Sequence, residues 1–345
     1  MLSYLIQRFL SIGLSLLGVS LLVFFMVHLI PGDAALTIAG ERATEEILTQ
    51  LREDMGLDKP LYQQYAKYLW DLVRLDLGRS FKSKQNVIDE IRQYFPATAE
   101  LTLAAMLFSI LFGITAGIIA AVYRGKFLDY ISMTTSLAGI SIPIFWLGLM
   151  LILLFSYYLN ILPARGRLDP LLSLDPIFSD VKTPTGFYLI DTLLAGNFAA
   201  FKDAVKHLIL PAVTLGTIPL AIIARMTRSS LLEVLNQPYI TTAYAKGLSK
   251  WAVIIKHALK NSMVPVLTII GLEFGYLMGG AILTEHIFSW PGLGSWLRES
   301  VEARDVKAVQ GGVLFVSALF MFVNLIVDLL YAYFDPRIRV GDETQ

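Results

Sequence analysis

Apolar positions along the chain gather into six stretches, about 9–30, 101–123, 131–159, 208–224, 263–284 and 311–334. Of the 28 basic and 28 acidic residues, only Glu273 and Asp328 fall inside them. About 20 apolar residues cross roughly 30 Å of hydrocarbon. All six stretches meet that length, 208–224 only marginally. The pattern predicts an all-α polytopic membrane protein with six transmembrane helices. Four prolines interrupt them: Pro143 in the third, Pro211 and Pro219 in the fourth, and Pro265 opening the fifth. Proline removes a helical hydrogen bond and clashes with the preceding turn. Such kinks occur both in helices that line a pathway and in passive bundles.

The long segment 31–100 carries helical signals of its own. Thr44 is placed to cap a helix over Glu45–Met55, with Gly56 at its C′ position. Asp58 is placed to cap a second helix with Pro60 in its first turn. There Leu61, Tyr65, Tyr68 and Leu72 make one apolar face. Val87, Ile88, Ile91 and Phe95 make a third, shorter face. The expectation is a helical layer on the outer membrane surface, serving either as a docking surface or as a lid packed on the spans. The pattern assigns no structure to 160–207, which is rich in Pro, Asp and Gly.

Composition agrees with the pattern. Hydrophobic residues make up 55% of the 345 positions and charged residues 16%, against about 25% charged in ordinary soluble domains. The net charge is zero, which removes the basic signature of nucleic-acid binding. Without cysteine there is no disulfide, thiolate metal site or cysteine nucleophile. The first stretch is too long for a signal-peptide core, and Phe24, Phe25 and His28 lead into Pro31-Gly32-Asp33 instead of a cleavage site. It reads as a permanent helix.

Charge also orients the chain. Residues 1–8, 124–130, 225–262 and 335–345 share a side and carry 11 Lys and Arg against 5 Asp and Glu; the other side carries 17 against 21. The positive-inside bias, clearest for Arg124 and Lys126 in a seven-residue loop and for Arg337 and Arg339 in the tail, places both termini in the cytoplasm.

Transport needs an energy source, and none is visible. The Walker A pattern is absent: Gly125-Lys126 is followed by Phe127, with no glycine five residues upstream. A proton-coupled carrier would have only Glu273 and Asp328 to use. Burying Glu273 ionised at mid-bilayer costs roughly 2.5–3.5 kcal/mol. It therefore faces the bundle interior or a wet cavity, either in a functional contact or as a protonated or paired carboxyl. Asp328 reads as satisfying a nearby Arg or backbone group. A membrane-embedded enzyme would need a constellation such as His-Glu-x-x-His, which is missing. His28, His207, His257 and His286 lie at or beyond the span ends. No catalytic and no metal site is assigned. Trp290 and Trp296 read as outer-interface anchors.

The 38-residue loop 225–262 is longer than a connection requires. A helical pattern runs into Ala245, Gly247 fits a C′ position with positive φ, and Ser249 is placed to cap a following helix. Val253, Ile254, Leu259 and Met263 anchor that second helix. The corner Thr242-Ala243-Tyr244-Ala245-Lys246-Gly247-Leu248 either fits a groove on another protein or is an ordinary surface helix–turn–helix. Lys246 can pair with such a partner or with lipid phosphate.

That corner, with His257-Ala258-Leu259-Lys260-Asn261 and Pro265, resembles the EAA loop of type I ABC-transporter permeases, in the version of the peptide and nickel branch. The resemblance extends along the chain. It includes Pro31-Gly32-Asp33, Gly56-Leu57-Asp58-Lys59-Pro60, Asp76-Leu77-Gly78-Arg79-Ser80 and Pro143-Ile144-Phe145-Trp146. Arg225-Met226-Thr227-Arg228-Ser229-Ser230, Leu232-Glu233-Val234-Leu235, Glu285 to Gly294 and Asp335-Pro336-Arg337-Ile338-Arg339 also match. Leu189-Ile190-Asp191-Thr192 and 281–294 look most like the dipeptide-carrying members. Two positions depart: Thr241 replaces the acidic residue that names the loop, and Tyr244 stands where the branch usually has Arg.

The resemblance implies a type I importer permease fold with a helical periplasmic loop. The first part, 1–100, would hold one transmembrane helix and that loop. The permease core would span 101–334, with the coupling loop at 225–262, and 335–345 would be a cytoplasmic tail. It further implies that Thr242, Ala243, Tyr244, Ala245, Lys246, Gly247 and Leu248 couple the chain to an ATPase. Pro143, Phe145, Glu273 and Gly275 are candidates for the translocation pathway. The implied partners are a second homologous permease completing a heterodimer, two ATP-binding subunits, a periplasmic substrate-binding protein and membrane lipid. No cofactor is expected on this chain; ATP and magnesium belong to the ATPase subunits. The implied cargo is dipeptides or short peptides crossing a bacterial inner membrane, with oligopeptide, glutathione or nickel as alternatives within the same fold.

Overall fold

A computed structural model describes residues 2–29, 44–46, 48–49, 58–170 and 185–334, with the side chains of 2–7, 27–29, 279–280 and 328–334 outside that description. The described residues form α1 (Leu2–Leu29), α2 (Leu61–Val73), α3 (Val87–Val122), α4 (Phe127–Ser141) and α5 (Ile144–Leu151), which continues as a π-helical stretch Ile152–Tyr158. Then come α6 (Tyr188–Leu194), α7 (Phe198–Leu235), α8 (Pro238–Ala245) and α9 (Lys250–Ala252). From α9 the chain runs through a second π-helical stretch, Val253–Leu259, into α10 (Lys260–Gly280), followed by α11 (Ile282–Ile287), α12 (Leu293–Glu302) and α13 (Val306–Phe334).

Among the described residues, five helices are long and apolar enough to cross a membrane, or six when α4 and α5 count as one broken span. The third expected span is therefore not one rod: its halves meet at 105°. The break lies at Ile142-Pro143, where Ile142 is extended (φ −84°, ψ 127°). A proline pushes the preceding residue out of the helical region, and its own missing N–H cannot close the next turn. The marginal fourth stretch is the middle of a 38-residue helix, about 57 Å long. Its flanks reach into what the pattern left unassigned.

The described chain divides into two compact units, 1–94 with 296–318, and 95–295 with 319–345. In the first, α2 packs on α1. Tyr65 and Tyr68 place their rings 5.3 and 5.8 Å from that of Phe24, and the Tyr65 hydroxyl lies 2.9 Å from Ser20 Oγ. Asp58 does not cap α2; Pro60 occupies the N-cap position and no side chain caps the helix. Val87 and Ile91 are buried, but they open α3 instead of a separate short helix. Asp305 ties this unit together: one oxygen accepts from Ser80 Oγ (2.6 Å) and Lys82 N–H (3.0 Å), and the other caps α13 at Ala308 N–H. Of the helix expected over Glu45–Met55, only 45–46 and 48–49 are described, with Leu48 N–H bonding Thr44 O; the rest, Pro31-Gly32-Asp33 and the tail 335–345 lie outside the described residues.

In the second unit α7 is the hub, packed by α4, α5, α6, α10 and α11. It also meets α3 through small residues. A Cβ on Gly117 would sit 2.6 Å from Ala224 O, and one on Gly216 would sit 2.6 Å from Ala105 O. Helices in lipid associate by such close packing, since burying apolar surface gains little there. Ser109 Oγ donates to Gly216 O at 2.7 Å, a side-chain bond that ties α3 to α7. Trp290 is buried in this core and donates from Nε1 to Ala97 O at 2.8 Å. Trp296, in the first unit, is buried too and stacks on Tyr94. Neither is an interface anchor; both rings are packing elements of the chain itself.

Candidate coupling corner and transport face

Residues 236–249 build the candidate corner from local rules. Pro238 at the start of α8 lacks an N–H that would go unbonded there anyway. α8 ends at Lys246 in a Schellman arrangement: Gly247 N–H donates to Tyr244 O (2.9 Å) and Leu248 N–H reaches back to Ala243 O (3.4 Å). This closure needs a left-handed residue at Gly247, whose φ is +78°. Ser249 Oγ then accepts from Ala252 N–H at 3.4 Å and caps the next helix.

The corner has an anchored side and a free side. Ile240 and Ala243 pack with Ala121, Leu231, Val253 and Ala258 in one apolar cluster. Thr242, Tyr244, Ala245, Lys246, Gly247 and Leu248 are exposed, Tyr244 at 43% and Leu248 at 40%. The structure thus gathers six of the seven expected coupling residues on an open surface and turns the seventh, Ala243, inward. Asn261 Nδ2 donates to Tyr239 Oη at 2.9 Å, joining α8 to the rod that becomes α10.

At the end of α7, Arg228 grips Asp129 of α4 with two bonds, Nε to Oδ1 at 2.7 Å and Nη2 to Oδ2 at 2.8 Å. Asp129 also accepts from Gly125 N–H at 2.9 Å. The seven-residue basic loop is thereby clamped to the arm that carries the corner. Their pairing did not stand out in the sequence: Asp129 counted only as a loop charge, and Arg228 only as part of the segment 225–230.

The four pathway candidates lie on two helices. Pro143 and Phe145 begin α5 and are exposed; Glu273 and Gly275 are on α10. No hydrogen bond joins the two pairs among the described residues. Gly275 is buried toward α13, where a Cβ would meet the Phe320 ring at 3.1 Å. Glu273 is half-buried and makes no hydrogen bond or ion pair among the described residues. Asp328 lies outside the described side chains.

Two buried acids outside the apolar stretches were invisible to pattern reading. Glu100 pairs with Arg167 at 2.6 Å, each 6% exposed, and accepts Leu189 N–H at 2.8 Å. The Arg167 guanidinium lies 3.8 Å from the Tyr188 ring centre, so 160–170 and α6 are pinned together. Glu285, fully buried, accepts from Thr98 Oγ1 (2.6 Å) and Ser295 N–H (2.8 Å). Burial pushes its carboxyl above the ordinary value, against the pull of these donors.

Among the described residues, the corner at Gly247 is exposed and stands on a chain with helices apolar enough to cross a membrane. Comparison with known proteins decides the matter. Residues 113–340 match the model of the binding-protein-dependent transport system inner membrane component, and 1–102 match the N-terminal model for the membrane component of such systems.

The chain belongs to this family of inner membrane components.

The dipeptide transport system permease protein DppB of Escherichia coli (strain K12) is 50% identical over 341 residues, 98% of this chain and 99% of that protein. The di/tripeptide transport system permease protein DppB of Pseudomonas aeruginosa (strain UCBPP-PA14) is 51% identical over 340 residues, 98% and 99% of the two chains. The glutathione transport system permease protein GsiC of Escherichia coli O6:H1 is 42% identical over 339 residues, with the same coverage. The inner membrane component is thus a multi-pass membrane protein of a transport system that works with a binding protein.

Proposed function

We propose that this chain is the membrane permease subunit of a binding-protein-dependent ABC importer that carries dipeptides and other short peptides into the cell. The observation that carries the reading is the half identity, over essentially full length, to permeases named for dipeptide transport. The exposed corner supports the mechanical half: its rigid closure and its packing against the ends of α3 and α7 let a push on Thr242–Leu248 reach the spans. In this reading the chain performs no chemistry. Two ATP-binding subunits hold ATP and magnesium, a second permease completes a heterodimer, and the binding protein delivers peptide to the outer face. Both termini lie in the cytoplasm, on the side of the corner. Tyr244 grips the ATPase by stacking and one hydrogen bond. The test is to co-purify this chain with its partners and measure ATP hydrolysis. Stimulation by dipeptide-loaded binding protein, with none by glutathione, supports the reading; the reverse preference would redirect it to the glutathione importers.

A further inference from the structure

The geometry points to one face of α10 as the path's own contact for a charged peptide end, with Glu273 and Tyr276 receiving the peptide's α-ammonium near mid-membrane. This rests on the peptide-importer reading above. Two faces of the helix are accounted for within the chain. Gly271 and Gly275 approach Val327 and Phe320 of α13, and Val266 and Leu277 are buried in the main core. What remains is an exposed stripe at helical spacing: Asn261, Pro265, Leu272 and Tyr276. The stripe is not uniformly apolar. Asn261 carries an amide, and Pro265 has no N–H to offer the Asn261 carbonyl one turn back. Tyr276 is 68% exposed, and Glu273 sits on the stripe's edge, half-buried and without a partner among the described residues.

Glu273 also falls at the centre of the apolar stretch 263–284. A carboxylate there needs a cation or water, not lipid. An acid with an aromatic ring one turn away is a fitting receptor for an ammonium group, which the acid attracts by charge and the ring by its electron-rich face. Every dipeptide with a free amino terminus carries that group. The stripe starts at Asn261, which is bonded to Tyr239 of the coupling helix, so the same rod links the corner to the proposed contact.

The experiment uses the complete assembly in proteoliposomes with a labelled dipeptide. A photoreactive p-benzoylphenylalanine replaces Tyr276 during turnover. Peptide cross-links to this position are expected, and E273Q should lower both their yield and uptake about tenfold, the loss of one charge-assisted contact, with E273D retaining most uptake. Unchanged uptake and cross-linking in E273Q would overturn the assignment, as would cross-links to the second permease or to lipid in place of peptide. A wild-type assembly that imports no dipeptide would instead overturn the function proposed above, and the contact with it.

Discussion

Arg228 and Asp129 form a two-bond ion pair, 2.7 and 2.8 Å, between the end of α7 and the first turn of α4. Asp129 is 6% exposed while the Arg228 side chain keeps 30% of its surface in contact with solvent. The pair is therefore half protected: costly to break from the acid's side, less so than in a dry interior.

Asp129→Ala should leave that guanidinium short of its acceptor and free the Gly125 turn. Removing one partner of a fully buried pair costs about 3–5 kcal/mol, and the exposure of Arg228 brings the expected loss to about 1–3 kcal/mol. Thermal unfolding of the detergent-solubilised chain checks this. Arg228→Lys should fall between wild type and Asp129→Ala, because an ammonium cannot reproduce the two-pronged bond.

Glu285 predicts a pH dependence. Burial holds its folded-state pKa above the ordinary 4.5. The fold therefore binds this proton more tightly than the unfolded chain does. Its contribution is full below about 4.5 and is lost as pH rises through the raised value. Glu285→Gln should flatten that slope in melting experiments. Below the raised value the amide replaces a neutral carboxyl of the same donor and acceptor pattern, so the stability change there should stay within about 1 kcal/mol.

Trp290→Phe loses the bond from Nε1 to Ala97 O and leaves a cavity where the larger indole packed. A loss of about 2–3 kcal/mol is expected, read as a lower melting temperature with insertion into the membrane unaffected. An interface anchor at this position would show instead a dependence on lipid thickness.

The parts of this molecule legible in its sequence were those governed by short-range rules. The span positions follow from apolar runs. The corner follows from Gly247 and Ser249, whose conformational and capping preferences act within a few residues. The break at Pro143 was legible as a kink, but not its 105° size, which depends on what α5 packs against. The charge pairs were not legible. Asp129 and Arg228 are 99 positions apart, Glu100 and Arg167 are 67, and nothing local marks an acid that the fold will bury. Trp290 was misread for the same reason: a tryptophan near a span end suits the interface or the core equally well, and only tertiary packing chooses.

The central claim is that force enters through the corner closed by Gly247. Its Cβ position is open, with no atom within 4 Å, but φ of +78° strains any side chain and a β-branched one most. The decisive measurement is the number of ATP molecules hydrolysed per peptide imported by the reconstituted assembly with Gly247→Val, beside Gly247→Asn, which tolerates this conformation. The account predicts that Val inserts normally yet hydrolyses ATP with import reduced at least tenfold, about 1.4 kcal/mol of coupling, while Asn stays near wild type. Wild-type stoichiometry in Gly247→Val would contradict it.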